Sequence, residues 1–197
     1  MFRNRVSRRN LLLISVGLLI LTAMSIILAP KSARAEEGMP KGIPIRGTFT
    51  VAYSGTPNTA GVSFCGGRPL DIAVEAHGAG SSTLGALSFS LEKTVEATGP
   101  LMHGCLTLTA PSGDNLTAVY DGTEGSPNAN NFLFGNVTLT FTGGTGRFRG
   151  ATGSAKVTGV FSSFYPASSF VGGTSNPLQG VAFYSVDGTV LLRPEQQ

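Results

Sequence analysis

The sequence predicts an all-β domain, and three observations carry the prediction. Short segments alternate apolar and polar residues with period two, the pattern of half-buried strands. Glycine supplies 27 of the 197 residues, about twice its usual share of about 7%, and it is spread along the chain with no G-X-Y period. Charged residues make up 13% of the chain, about half the usual share of about 25%, so Thr, Ser, Asn and Gly carry the polar surface. Many short strands joined by glycine turns account for all three.

The N-terminus reads as a targeting helix ahead of that domain. Arg3, Arg5, Arg8 and Arg9 precede an uncharged apolar run from Leu11 to Leu28. Ala33-Arg34-Ala35 then forms an A-x-A cleavage site, which predicts a signal peptide over 1–35 and a mature chain beginning at Glu36. Ser7-Arg8-Arg9-Asn10-Leu11-Leu12 is similar to a twin-arginine export signal; an ordinary Sec signal is the alternative. An uncleaved anchor is the third reading, since 11–28 is just long enough to span a bilayer. The protein is therefore expected to be exported, periplasmic or secreted, with membrane contact only through this segment. The whole chain carries 14 Lys+Arg against 11 Asp+Glu. Six of the basic residues and none of the acids precede Glu36, so the mature chain has eight basic against eleven acidic side chains, a net of −3. The basic pI belongs to the leader, and net charge argues against a nucleic-acid partner.

The domain is read over 47–197, after a linker at 36–46 in which Gly38, Pro40, Gly42 and Pro44 oppose regular structure. Gly47 to Tyr53 is the first strand, with Phe49, Val51 and Tyr53 on one face. Between Pro69 and His77, Ile72, Val74 and Ala76 alternate with Asp71, Ala73, Glu75 and His77. Leu87, Phe89 and Leu91 alternate with Ser88, Ser90 and Glu92. Leu87, Leu91 and Val95 also sit four apart, as on a helix, but Ser, Phe, Thr and Val favour a strand. Leu106 and Leu108 alternate with Thr107 and Thr109, Pro111 to Asp114 makes a tight turn, and Leu116 to Tyr120 returns. Asp121 to Asn131 is the longest polar loop. Two strands flank the glycine-rich stretch that follows, Gly172 to Pro177 is a further turn, and Val181 to Leu192 closes the set, about eight strands in all.

The glycine-rich stretch, Phe141 to Thr158, reads as a β-hairpin. Thr138-Leu139-Thr140-Phe141 leads in and Ala155-Lys156-Val157-Thr158 leads out, both in strict alternation. Gly143 and Gly144 are expected to supply positive φ at the turn. Gly146 is expected to serve the backbone as well, and Gly150 and Gly153 fall in the outgoing strand, where glycine marks a bulge or a bend. Phe148 is expected to be buried. Arg147 and Arg149 lie opposite it, facing solvent or, in the functional reading, holding an anionic ligand.

GGTGRFRGATG in this hairpin resembles the glycine-rich hairpin of the dirigent and allene oxide cyclase barrels and of exported bacterial proteins with a similar barrel domain. Ser82-Thr83-Leu84-Gly85, and Leu106 to Ala110 followed by Ser112-Gly113-Asp114, resemble the bacterial members, so the likeness covers roughly Gly47 to Leu192. The resemblance implies an eight-stranded antiparallel up-and-down barrel, which closes on itself and leaves no sheet edge. It also implies a homo-oligomer, dimer or trimer. The family's catalytic residues form no motif in this chain, and none is carried over.

Few residues point to chemistry. Cys65 and Cys105, the two cysteines, both lie in the exported part and read as one disulfide; two separate buried thiols are the alternative. In an up-and-down barrel each lies near a strand start at the same end. Glu75 and His77 share one face of a strand. The functional reading is an acid–base pair in the lumen; the other is an outward polar face, because Ile72, Val74 and Ala76 form the better core face. Glu75, His77 and Arg147 are thus the ligand-binding candidates. There is no C-x-x-C, G-x-S-x-G, P-loop or H-E-x-x-H motif, so neither a metal nor a cofactor is expected. The favoured function is an exported barrel that binds a small hydrophobic molecule. The alternatives are a cyclase, isomerase or dirigent-type enzyme acting on a reactive hydrophobic intermediate, and a structural surface protein.

Overall fold

Period-two alternation becomes an inside and an outside once the strands pair. The structure is a computed structural model, and it describes residues 41–97, 99–124, 132–163 and 178–193. The leader over 1–35, residues 125–131 of the polar loop and the turn over 172–177 lie outside the described residues; Asp121 to Glu124, read as the start of that loop, instead continue strand β5, paired with β6 from Asp121↔Thr138 to Glu124↔Gly135. The described strands are β1 (Lys41–Pro57), β2 (Ile72–Ser82), β3 (Gly85–Val95), β4 (Leu101–Thr109), β5 (Asn115–Glu124), β6 (Phe132–Gly144), β7 (Thr152–Ser163) and β8 (Leu178–Leu192). They form a closed barrel in chain order. Each strand runs antiparallel to its chain neighbours, and β8 returns to β1 from Lys41↔Leu192 to Gly55↔Leu178. The expected all-β, up-and-down architecture is the one observed.

The segment with helical spacing is strand β3, because Leu87, Phe89 and Leu91 all turn inward and are buried. Burying each such side chain stabilises the fold by about 1.5–3 kcal/mol. A belt of rings fills the interior: Phe49 lies 5.6 Å from Phe89, Phe89 stacks on Tyr184 at 5.3 Å, and Tyr184 meets Phe161 edge-on at 5.5 Å.

The stretch read as a linker is strand from Lys41 onward, and Pro44 lies within β1. Its carbonyl accepts from Thr83 Oγ1 at 2.6 Å, while Thr83 Oγ1 accepts from Arg46 N at 3.1 Å. Carbonyl and amide of one strand residue point the same way, so the N–H that Pro44 lacks would face this turn. No bond to β8 is lost, which is how a proline sits in a strand.

The hairpin is present, with β6 and β7 joined through a short 3-10 turn at Gly146–Phe148. Gly143, Gly146, Gly150 and Gly153 have positive φ, but Gly144 does not. Crowding is the reason for glycine at 144: a β-carbon there would fall on the Asn115 carbonyl oxygen and lie 2.8 Å from Phe148 Cβ. Gly150 belongs to the turn rather than to the outgoing strand. The bulge falls at the end of β6, where the register with β5 shifts between Thr117 and Ala118 and skips Thr142.

Candidate functional site

Side chains point alternately in and out along each strand, so the chain's few ionisable groups sort by register. The tight turns lie at one end of the barrel. The long connection 58–71 lies at the other, where β5 ends at Glu124 and β7 ends at Ser163. At this loop end a cleft of about 260 Å³ opens between Arg68 and Leu70 of that connection and Met102, His103, Asp121 and Gly122 of β4 and β5.

His103 and Asp121 are direct cross-strand partners, and His103 Nδ1 is hydrogen-bonded to Asp121 Oδ1. The other ring nitrogen, Nε2, lies 3.4 Å from the Cys65 carbonyl. The 58–71 connection covers the ring closely: a β-carbon on Gly67 would collide with it. Cys65 is bonded to Cys105, with Cα atoms 5.5 Å apart, and stands at φ +48°, the described non-glycine residue with positive φ. Asn58 closes the connection on itself, its Nδ2 donating to the Val62 and Leu70 carbonyls at 2.8 Å each. Thr94 Oγ1 donates to the Arg68 carbonyl at 3.3 Å. Removing the disulfide by Cys65→Ser with Cys105→Ser is expected to lower stability by about 3–4 kcal/mol, from the loop it closes. Denaturant titration of the variant against the oxidised parent measures this; coincident midpoints would show that the bond does not hold the fold.

Lys93 lies inside the barrel, beside Met102. The inward series Leu87, Phe89, Leu91 continues to Lys93 and Val95, and Lys93 is 3% exposed. Its Nζ donates to Met102 Sδ at 3.6 Å. It lies 4.8 Å from the Phe161 ring centroid and 5.7 Å from that of Tyr120, within range of a cation–π attraction. Gly104 faces it across β3 and β4, and a β-carbon there would press on the Lys93 backbone and stem. The glycine therefore makes room for the long side chain. Lys93 is the charged side chain in the described core.

Glu75 and His77, the candidate lumen pair, both point outward and are exposed. Glu75 is paired across β2 and β3 with Glu92, and His77 Nδ1 lies 3.3 Å from Ser90 Oγ. The core claimed the other face, as Ile72, Val74 and Ala76 required. Arg147 sits at the turn end, far along the barrel from the cleft. It does not stand opposite Phe148, because alternation does not apply in a 3-10 turn. Its guanidinium carbon lies 4.6 Å from the Phe148 ring centroid, and its Nη2 donates to the Leu84 carbonyl at 3.0 Å. The three candidates are not brought together. Sequence reasoning passed over Lys93, although extending the β3 alternation by two residues places it inside. The His103–Asp121 pairing leaves no local signal, since only strand register creates it.

A larger concavity of about 670 Å³ lies on the outer wall across β1, β8, β7 and β6, beside Phe183, which is 54% exposed. No acidic, basic or thiol side chain lines it, so the chemistry gathers at the smaller cleft.

Fold and site together define a closed antiparallel eight-stranded barrel with a buried amine near its loop end. No family model matches the chain, and no curated protein matches it. Among solved structures, a pterocarpan synthase dirigent protein is similar at 11% identity over 81% of this chain and 90% of that one, with a TM-score of 0.29. A likeness at that score adds no argument to the barrel seen directly.

Proposed function

We propose that the protein is an exported barrel that takes up a small hydrophobic molecule at the loop end of its interior. The observation that supports this best is Lys93, an amine whose Nζ lies beside the rings of Phe161 and Tyr120 and donates to Met102, a residue that also lines the loop-end cleft. Apolar and aromatic lining with a few placed polar groups is the usual form of a small-molecule site. The leader read at 1–35 supports export, and the Cys65–Cys105 disulfide is compatible with an oxidising compartment. The neutral dye N-phenyl-1-naphthylamine is expected to bind saturably, with a rise in fluorescence, and mass spectrometry of purified protein is expected to find a co-purifying small molecule. No dye response and no retained molecule would overturn the proposal. The structural reading has one observation in its favour: the turn end is filled by Ile45, Leu116, Leu139, Phe148 and Val190, all fully buried. A dye response would count against it.

A further inference from the structure

We propose that the outer wall formed by β1, β8, β7 and β6 binds an uncharged carbohydrate chain, laid across the strands in the concavity beside Phe183. This site is separate from the loop end and does not depend on the reading given there.

Strand register builds it. Thr48 pairs with Ser185, Ser185 with Thr158, and Thr158 with Asn136. All four side chains point outward and are exposed. They form one row across four strands, about 14 Å long at the usual strand spacing. Two residues along β8 stands Phe183, 54% exposed, with Val160 as its partner on β7. All six residues line the concavity. Its floor is set from inside. Gly135 and Gly159 are register partners on the buried face, and a β-carbon on Gly159 would lie 3.0 Å from the Tyr184 ring. The wall therefore rests directly on the aromatic belt, which gives a bound chain a rigid backing.

The chemistry of the row selects the ligand. A Ser or Thr hydroxyl both donates and accepts, and Asn does so through its amide, so each can meet a sugar hydroxyl in either role. The neighbouring row toward the turn end is spent on itself: Arg46 Nε donates to Asp187 at 3.2 Å and Lys156 Nζ to Thr138 Oγ1 at 2.7 Å. Among the described residues none is a side-chain hydrogen-bond partner of Thr48, Ser185, Thr158 or Asn136, so all four are available. Phe183 offers an apolar surface to the C–H face of a sugar ring, and an aromatic surface with a few placed polar groups fixes a ligand's orientation. No ionisable side chain lines the concavity. An uncharged chain leaves no charge unpaired there, whereas an acidic one would find no counter-ion.

The experiment is isothermal titration calorimetry of the folded, oxidised protein with three uncharged probes, cellohexaose, chitohexaose and maltohexaose, and one acidic probe, hexagalacturonate. At least one uncharged probe is expected to bind saturably and more tightly than the acidic one. Phe183→Ala should weaken that binding at least about tenfold, since the ring's apolar area is no longer taken out of water. Thr158→Val removes one hydroxyl and should weaken it at least about threefold. Thr107→Val makes the same change on β4, on the opposite wall, and should leave it unchanged. Should Phe183→Ala fail to fold, Thr158→Val decides. No binding of any uncharged probe would overturn the proposal, as would binding that both variants retain or a preference for the acidic probe. A dimer in light scattering that binds no sugar and that Phe183→Ala splits would also overturn it, by showing that a second copy covers the wall.

Discussion

Phe148→Ala is expected to lower stability by about 3–5 kcal/mol, a fall in Tm on the order of 10 °C for a domain of this size. Phe148 is 1% exposed and belongs to the continuous core. It is delivered there by a turn with little freedom: Thr145 N donates to the Asn115 carbonyl at 2.8 Å, Phe148 N to the Thr145 carbonyl at 3.0 Å, and Ala151 N to the Phe148 carbonyl at 3.0 Å. A held backbone cannot collapse into the vacated space, so the cavity persists and the cost sits toward the upper part of the range. The neighbouring arginines should behave differently from Phe148 and from each other. Arg149→Ala should stay within about 0.5 kcal/mol, as for a solvated side chain. Arg147→Ala should cost about 1 kcal/mol, since it loses the bond to the Leu84 carbonyl and the packing on Phe148. Thermal melts of the three variants read the pattern; an Arg149→Ala protein that unfolds beside a stable Phe148→Ala protein would show the turn to be an arginine-anchored site.

Gly153→Val is expected to be at least as severe, through the backbone instead of the core. Gly153 stands at φ +113°, a conformation that costs a residue with a β-carbon about 1–2 kcal/mol. A β-carbon there would also fall on the Thr189 carbonyl oxygen. Gly153 and Val190 are register partners in the β7–β8 pairing, so relief requires the two strands to part, and overpacking of this kind adds about 1–3 kcal/mol. Gly85→Ala is the matching control: it too has positive φ, at +100°, but nothing lies within 4 Å of a β-carbon there. It should show the conformational strain alone. Equal melting shifts for Gly153→Val and Gly85→Ala would mean that the close approach to β8 carries no weight.

Much of the barrel is legible along the chain. Phe49, Val51 and Tyr53, or Leu87, Phe89 and Leu91, state their own inward face, because alternation is a local property that each strand carries alone. Burial of Phe148 is legible from its apolar ring between glycines, although the alternation that would set Arg147 opposite it does not hold in a 3-10 turn, and the cysteine pair is legible once the strands are taken to run up and down. Where the reading went astray, a local rule met a non-local fact. Proline at 44 argued against a strand, yet the turn at Thr83 lies where its missing N–H would point. Gly144 was read as a φ requirement, yet the Asn115 carbonyl on β5 sets it.

By itself the sequence determined the all-β class, about eight strands along the chain, and the apolar face of strands such as β1, β2 and β3, since these follow from periodicity and turn chemistry within short windows. Only the tertiary structure decided what the strands bring together. The β4–β5 register set His103 on Asp121, residues 18 apart in the chain. Closure of β8 onto β1 curled β3 and β7 around one interior, so that Lys93 meets Phe161 although four strand steps separate them. Lysine is normally a surface residue, and its charge outweighs its place in an alternation when only the neighbouring residues are in view. Burial is decided by the walls of the barrel, and those come from the whole chain at once.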